Sequence, residues 1–140
     1  GVAKALKSKN PKCKIIGVSM ERGAAMYECQ KAGKPIFVEE EKTLADALGG
    51  GIGLDNEYTF KMTRDLVDDI ILVSESEIAS GVKHAYWQEK QIVEGSGAVA
   101  IAALISKKFL PKGLTVALMC GSNIDLSTHY KIISGTSIDA

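Results

Sequence analysis

The chain has 140 residues, 46% of them apolar and 24% charged, and its 17 basic residues are balanced by 17 acidic ones. This is the composition of one globular domain with a sizeable core. A net charge of zero supplies no attraction towards nucleic acid or an anionic membrane. The longest apolar run, Ala98 to Ile105, falls short of the roughly 20 residues that a membrane-spanning helix needs. Three cysteines (Cys13, Cys29, Cys120) without CxxC spacing indicate a reduced, cytoplasmic chain and not a disulfide framework.

Gly1-Val-Ala-Lys-Ala-Leu-Lys7 opens directly in helix-forming residues without a methionine or a cap, as a piece of a longer polypeptide would. The helix stops at Asn10-Pro11. Lys14 to Ser19 reads as a buried strand, Gly23 to Ala32 as a helix ended by Gly33, and Lys34 to Val38 as extended chain. Thr43 to Leu48 is a helical turn before Gly49-Gly-Gly51. Asn56 caps a helix that turns Phe60, Thr63, Leu66 and Val67 inward. Asp69 to Val73 is a second buried strand. Ser74 and Glu77 form a capping box for a helix that buries Ile78, Val82, Ala85 and Tyr86 and runs to about Lys90. Glu94 precedes an alanine-rich helix carrying Ala98, Ile101, Ala102 and Ile105. Leu114 to Met119 is almost continuously apolar, which suits a strand covered on both faces, and Asp125 to Ile133 is helical. Strands alternating with helices predict a three-layer α/β domain, with a mainly parallel sheet and helices on both faces.

Several residues could carry chemistry. Cys120 follows the last predicted strand, at the carboxyl edge where α/β folds place ligands, although a free cysteine is equally a common core residue. Glu94 is either a carboxylate needing a partner in a cleft or an anion favoured by the dipole of the next helix. His84 and His129 lack zinc spacing and read as structural or surface groups. A Cys120–His129 nucleophilic pair has no orienting third residue. Gly49 to Gly53 follows a helix, not a strand, and so fails the context of a phosphate loop. No metal site is expected.

The ordered stretches Gly1 to Lys7, Ile16-Gly-Val18, Thr43-Leu-Ala-Asp46, Arg64-Asp-Leu-Val-Asp-Asp-Ile70, Val93-Glu-Gly-Ser-Gly-Ala98 and Cys120-Gly-Ser-Asn-Ile-Asp125 resemble the second half of threonine dehydratases. These belong with serine dehydratase and serine racemase among the fold-type-II pyridoxal-phosphate enzymes. Leu44 to Asn56 looks most like the hydroxyectoine-utilisation branch of that family.

The resemblance implies pyridoxal 5'-phosphate as cofactor, with Cys120 at the ring nitrogen, Glu94 beside the ring, Gly121, Ser122 and Asn123 shaping the turn around it, and Ala47 in a loop at its other edge. A thiol does not force protonation of the ring nitrogen as an aspartate would, which suits β-elimination over transamination. It also implies that residues 1–140 form the C-terminal portion of the catalytic domain. The Schiff-base lysine and the phosphate cradle would lie upstream of Gly1. Where metal-binding members carry acidic residues, this chain has Ser19 and Ala24-Ala25. The expected activity is dehydration and deamination of a hydroxy amino acid by a homodimeric or homotetrameric parent, with no catalytic residue in this segment and no activity from it alone. The alternative is a non-catalytic α/β module that binds a nucleotide or a partner subunit.

Overall fold

The computed structural model describes residues 1–136. Its centre is a pair of parallel strands, β1 (Ile16–Met20) and β2 (Asp69–Val73), in register from Ile16 opposite Asp69 to Met20 opposite Val73. Parallel neighbours need a long crossover, and here α2 (Ala25–Ala32) and α3 (Thr59–Leu66) lie within it. Ahead of the strands, α1 (Val2–Lys9) is tied to the start of β2 by an ion pair between Lys7 and Asp68, 2.8 Å long. After β2 come α4 (Glu75–Trp87), α5 (Gly95–Ile105) and α6 (Leu126–Ser134). The architecture is the expected mixture of helices and parallel strands.

Side-chain alternation along the strands places Val18, Met20, Ile71 and Val73 in one core cluster with Val99, Ala102 and Ala103 of α5 and Ile78 of α4. A second cluster joins Val82 and Ala85 of α4, Ala98 and Ile101 of α5 and Ile132 of α6. Helix α5 belongs to both clusters, which explains a sequence apolar on nearly every face. Its small side chains also permit close crossing: a Cβ at Gly81 of α4 would stand 2.8 Å from the Ala98 carbonyl.

Beyond the end of α5, the Lys108 ammonium draws three elements together. It lies 2.9 Å from Glu21, 2.8 Å from Glu77 and 2.9 Å from the Leu72 carbonyl. Burial pushes the Glu77 carboxyl up, but hydrogen bonds from Lys108 and from the Ser74 N–H and hydroxyl outweigh it and hold that carboxyl below its usual range. The capping box is present as expected: the Ser74 hydroxyl accepts from Glu77 N–H at 3.3 Å, and the Glu77 carboxylate accepts from Ser74 N–H at 2.7 Å. Asn56 Oδ1 accepts from Phe60 N–H and so serves the first turn of α3, although the N-cap position itself falls to Tyr58 and not to Asn56.

The largest departure is Leu114 to Met119. This segment forms no strand, and Leu114, Val116 and Leu118 are 102%, 80% and 60% exposed. Apolarity signals that a segment is to be buried, but a strand also needs a neighbour to pair its N–H and C=O groups. Among the described residues the sheet has two strands, and neither takes this segment as a partner. The other differences are smaller. The strands are half-buried along most of their length, becoming buried at Met20 and Val73. Lys34 to Val38 joins no sheet. Only Asp46–Leu48 of the expected turn is helical, as a single 3₁₀ turn, and α4 stops at Trp87. Ile105 is more than one-third exposed. Among the described residues no helix is long and apolar enough to cross a membrane.

Candidate functional site

The site is assembled on the N-terminal turn of α5, where glycines admit two other pieces of backbone. A Cβ at Gly95 would collide with the carbonyl of Leu44, and one at Gly97 would collide with the carbonyl of Cys120. The loop at Thr43–Ala45 and the turn at Cys120–Gly121 therefore close on the same helix end, though some 75 residues of sequence separate them.

Glu94 is the N-cap of α5 by position, yet its carboxylate makes no capping hydrogen bond to that helix. It turns instead to the other segment. Its N–H donates to the Gly121 carbonyl (3.1 Å), and its Oε2 accepts from Asn123 N–H (2.8 Å). Gly121 has φ of +80°, and a Cβ there would come within 2.5 Å of Glu94 Oε1. Both readings left open by the sequence are compatible with this placement: the carboxylate has a partner in a cleft, and it stands at the N-terminus of α5. The cleft is lined by Thr43, Leu44, Asp46, Glu94, Asn123 and Thr128, among others. One wall continues into α6, where Asp125 caps the helix by accepting from Thr128 N–H at 2.8 Å. Hydrogen bonds from the Ser127 hydroxyl and the Thr128 N–H hold the Asp125 carboxyl below its usual range.

Of the predicted residues, Glu94 and Asn123 line this cleft, and Cys120, Gly121 and Ser122 stand exposed in the same turn. Ala47 is exposed on the 3₁₀ turn and does not line the cleft, whose wall on that side comes from Thr43, Leu44 and Asp46. His129 is 4% exposed, with its ring 5.4 Å from that of Tyr86 in an edge-on arrangement, and burial pushes its pKa down. A buried imidazole and an exposed thiol do not make the discounted nucleophilic pair. Among the described residues no cluster of His, Cys, Asp or Glu could hold a metal ion, and all three cysteines are free thiols.

Sequence reasoning missed Glu75 and Ser96. The Glu75 carboxylate accepts from Thr43 Oγ1 (2.6 Å) and from Leu44 N–H (2.7 Å). Ser96 Oγ, on the first turn of α5, is buried with no partner among the described residues. An acid at the start of a helix looks in sequence like ordinary dipole compensation, so nothing in the pattern distinguishes Glu75.

The donor set fits part of a pyridoxal-phosphate site. Glycine-bared backbone suits the approach of a flat ring, Cys120 offers an exposed free thiol with no carboxylate in its place, and Glu94 braces the turn that carries that thiol. The Gly49–Gly53 stretch follows the 3₁₀ turn and does not join a strand to a helix, so it makes no phosphate cradle.

Comparison with known proteins places the chain in a family. The family described as "Pyridoxal-phosphate dependent enzyme" matches residues 1–121. A Sinorhizobium fredii protein provisionally named threonine dehydratase is 52% identical over 136 residues, covering 96% of this chain and 41% of that protein. An L-threonine ammonia-lyase of Thermotoga maritima is 36% identical over 135 residues, covering 96% of this chain and 33% of that protein. The structure of the processed form of threonine deaminase isoform 2 from Solanum lycopersicum superposes with a TM-score of 0.83 at 31% identity, over 98% of this chain and 40% of that one. The chain thus spans between 33% and 41% of the length of these relatives.

Proposed function

Because the chain belongs to the family of pyridoxal-phosphate dependent enzymes, we propose that residues 1–140 are the C-terminal portion of the catalytic domain of a lyase that dehydrates and deaminates a hydroxy amino acid. The products are the corresponding keto acid and ammonia. The observation carrying this reading is the Glu94 carboxylate fixed on the Gly121–Asn123 turn beside the glycine-bared start of α5. The names of the relatives support dehydration over other chemistry.

When bound, pyridoxal phosphate supplies an electron-withdrawing ring that takes up charge developing at the substrate Cα. This chain's part is to hold and orient. The Cys120 side chain would stand at the ring nitrogen, where no carboxylate would drive that nitrogen to protonate. Glu94 keeps the Cys120–Asn123 turn at a fixed height by accepting from Asn123 N–H. Gly95 and Gly97 let the two backbone walls close, and the loop from Thr43 through Ala47 to Gly50 would border the other edge of the ring. The base that removes the Cα proton and the groups that hold the phosphate belong to the rest of the parent.

The exposed Leu114–Met119 segment finds its place in the same reading. Its alternating Leu114, Val116 and Leu118 are uncovered here, and in the parent they enter a sheet completed by strands outside this chain. Threonine, serine and a hydroxyectoine breakdown product are the candidate substrates, the last supported by the pattern of Leu44 to Asn56. The parent works in the cytoplasm as a homodimer or homotetramer. The test is ammonia and keto-acid release from a panel of hydroxy amino acids, with cofactor present, by the full-length parent and by residues 1–140 alone. The parent is expected to turn over at least one of them and the segment none. A segment as active as its parent, or a parent inert on the whole panel, refutes the proposal.

A further inference from the structure

We propose that Glu75 is a positioning residue, whose carboxylate clamps the Thr43–Leu44 backbone against the first turn of α5 and so sets one wall of the Glu94–Asn123 cleft. This rests on the lyase reading above and adds to it a residue outside the cleft.

The clamp has two arms and a relay. One carboxylate oxygen accepts from the Thr43 hydroxyl at 2.6 Å, and the other accepts from Leu44 N–H at 2.7 Å. Having donated its proton to Glu75, the Thr43 hydroxyl oxygen accepts from Ala45 N–H at 3.1 Å. Three consecutive residues are thereby held by a single side chain anchored at the first position of α4. On the far side the loop has nowhere to go, since the Leu44 carbonyl lies over Gly95 with no room for a Cβ between them. Ala45 is fully buried, and Asp46, the next residue, lines the cleft. Glu75 itself lines a separate depression with Ser76, Ala79 and Ile132, which shares Leu44 with the cleft. It therefore acts through the loop and not on a ligand. Charge-assisted bonds to both a hydroxyl and an amide give this contact more directional control than packing of Leu44 alone would.

The experiment uses the full-length parent carrying Glu75→Ala, Glu75→Gln, Thr43→Val, Thr43→Ser or the Glu75→Ala/Thr43→Val pair. Four quantities are read: cofactor dissociation constant, circular dichroism of the bound cofactor, kcat and KM separately, and melting temperature. Glu75→Ala and Thr43→Val are each expected to weaken cofactor retention about tenfold, the size of one lost charge-assisted hydrogen bond, and to alter the dichroism. The pair should be no worse than either single change, because both cut the same clamp. Thr43→Ser keeps the hydroxyl and should stay within about twofold of the wild type, with Glu75→Gln intermediate. Wild-type retention and dichroism in Glu75→Ala overturn the proposal, as do additive losses in the pair or equal damage from Thr43→Ser and Thr43→Val. A wild-type parent that neither binds cofactor nor releases ammonia removes the lyase reading and this role with it. In that event, faster proteolytic nicking between residues 39 and 53 in Glu75→Ala would still identify a loop clamp, without the role in setting a cofactor site.

Discussion

Gly97→Ala tests the packing that brings the site together. The added Cβ would overlap the Cys120 carbonyl, a backbone atom that cannot rotate aside as a side-chain end could. Helix α5 is held on both of its sides by core residues, so the cheaper escape is outward movement of the exposed Cys120–Asn123 turn. That movement breaks the bond from Glu94 N–H to the Gly121 carbonyl, costing about 1 kcal/mol, and the bond from Asn123 N–H to the Glu94 carboxylate, costing about 1.5–3 kcal/mol. Alanine returns about 1 kcal/mol through its helix propensity. The net loss is about 1.5–3 kcal/mol, which at a urea m-value of about 1.5 kcal/mol/M lowers the midpoint by about 1–2 M. Urea titration followed by far-ultraviolet dichroism measures this shift, and hydrogen exchange at Asn123 N–H shows whether the turn moved. Gly113→Ala is the control, because nothing lies within 4 Å of its added Cβ, and it should be neutral or slightly stabilising. A Gly97→Ala protein as stable as the wild type, with Asn123 still protected, refutes the reasoning.

Ser74→Ala removes the hydroxyl that caps α4, and should cost about 1 kcal/mol in the same titration; no change would mean that the capping box contributes nothing here. Burial holds the His129 pKa below 6.5, so the unfolded chain binds the proton more readily than the folded one. Stability should then be full above pH 6.5 and decline as pH falls through the folded value; His129→Phe should flatten that limb, whereas an unchanged slope assigns it to other groups. Val116→Ser should cost less than about 0.5 kcal/mol in residues 1–140, where the side chain is exposed. In the full-length parent the same change should cost about 1–3 kcal/mol if the segment enters a sheet, and equal small losses in both would keep it at the surface.

Much of the site could be read in order along the chain. Val93 to Ala98 and Cys120 to Asp125 stand out through their resemblance to threonine dehydratases, whereas the residues alone leave Glu94 and Cys120 open between a site and a structural role. The structure joins those stretches through Glu94, Gly97 and Gly121. Ala47 stands exposed on the loop whose Thr43, Leu44 and Asp46 supply the cleft wall. Glu75 was invisible because its function depends on which backbone lies opposite it, and one sequence records no such pairing.

Local chemistry along the chain determined the main helices, the two strands β1 and β2, the Ser74–Glu77 cap and the stop at Asn10-Pro11, since these depend on neighbours a few residues apart. Only the tertiary structure decided what Glu94 binds, which carbonyls rest on Gly95 and Gly97, and that Leu114 to Met119 stands uncovered. Apolarity and charge state what a residue requires of its surroundings. The partner that meets the requirement is chosen by the path of the rest of the chain.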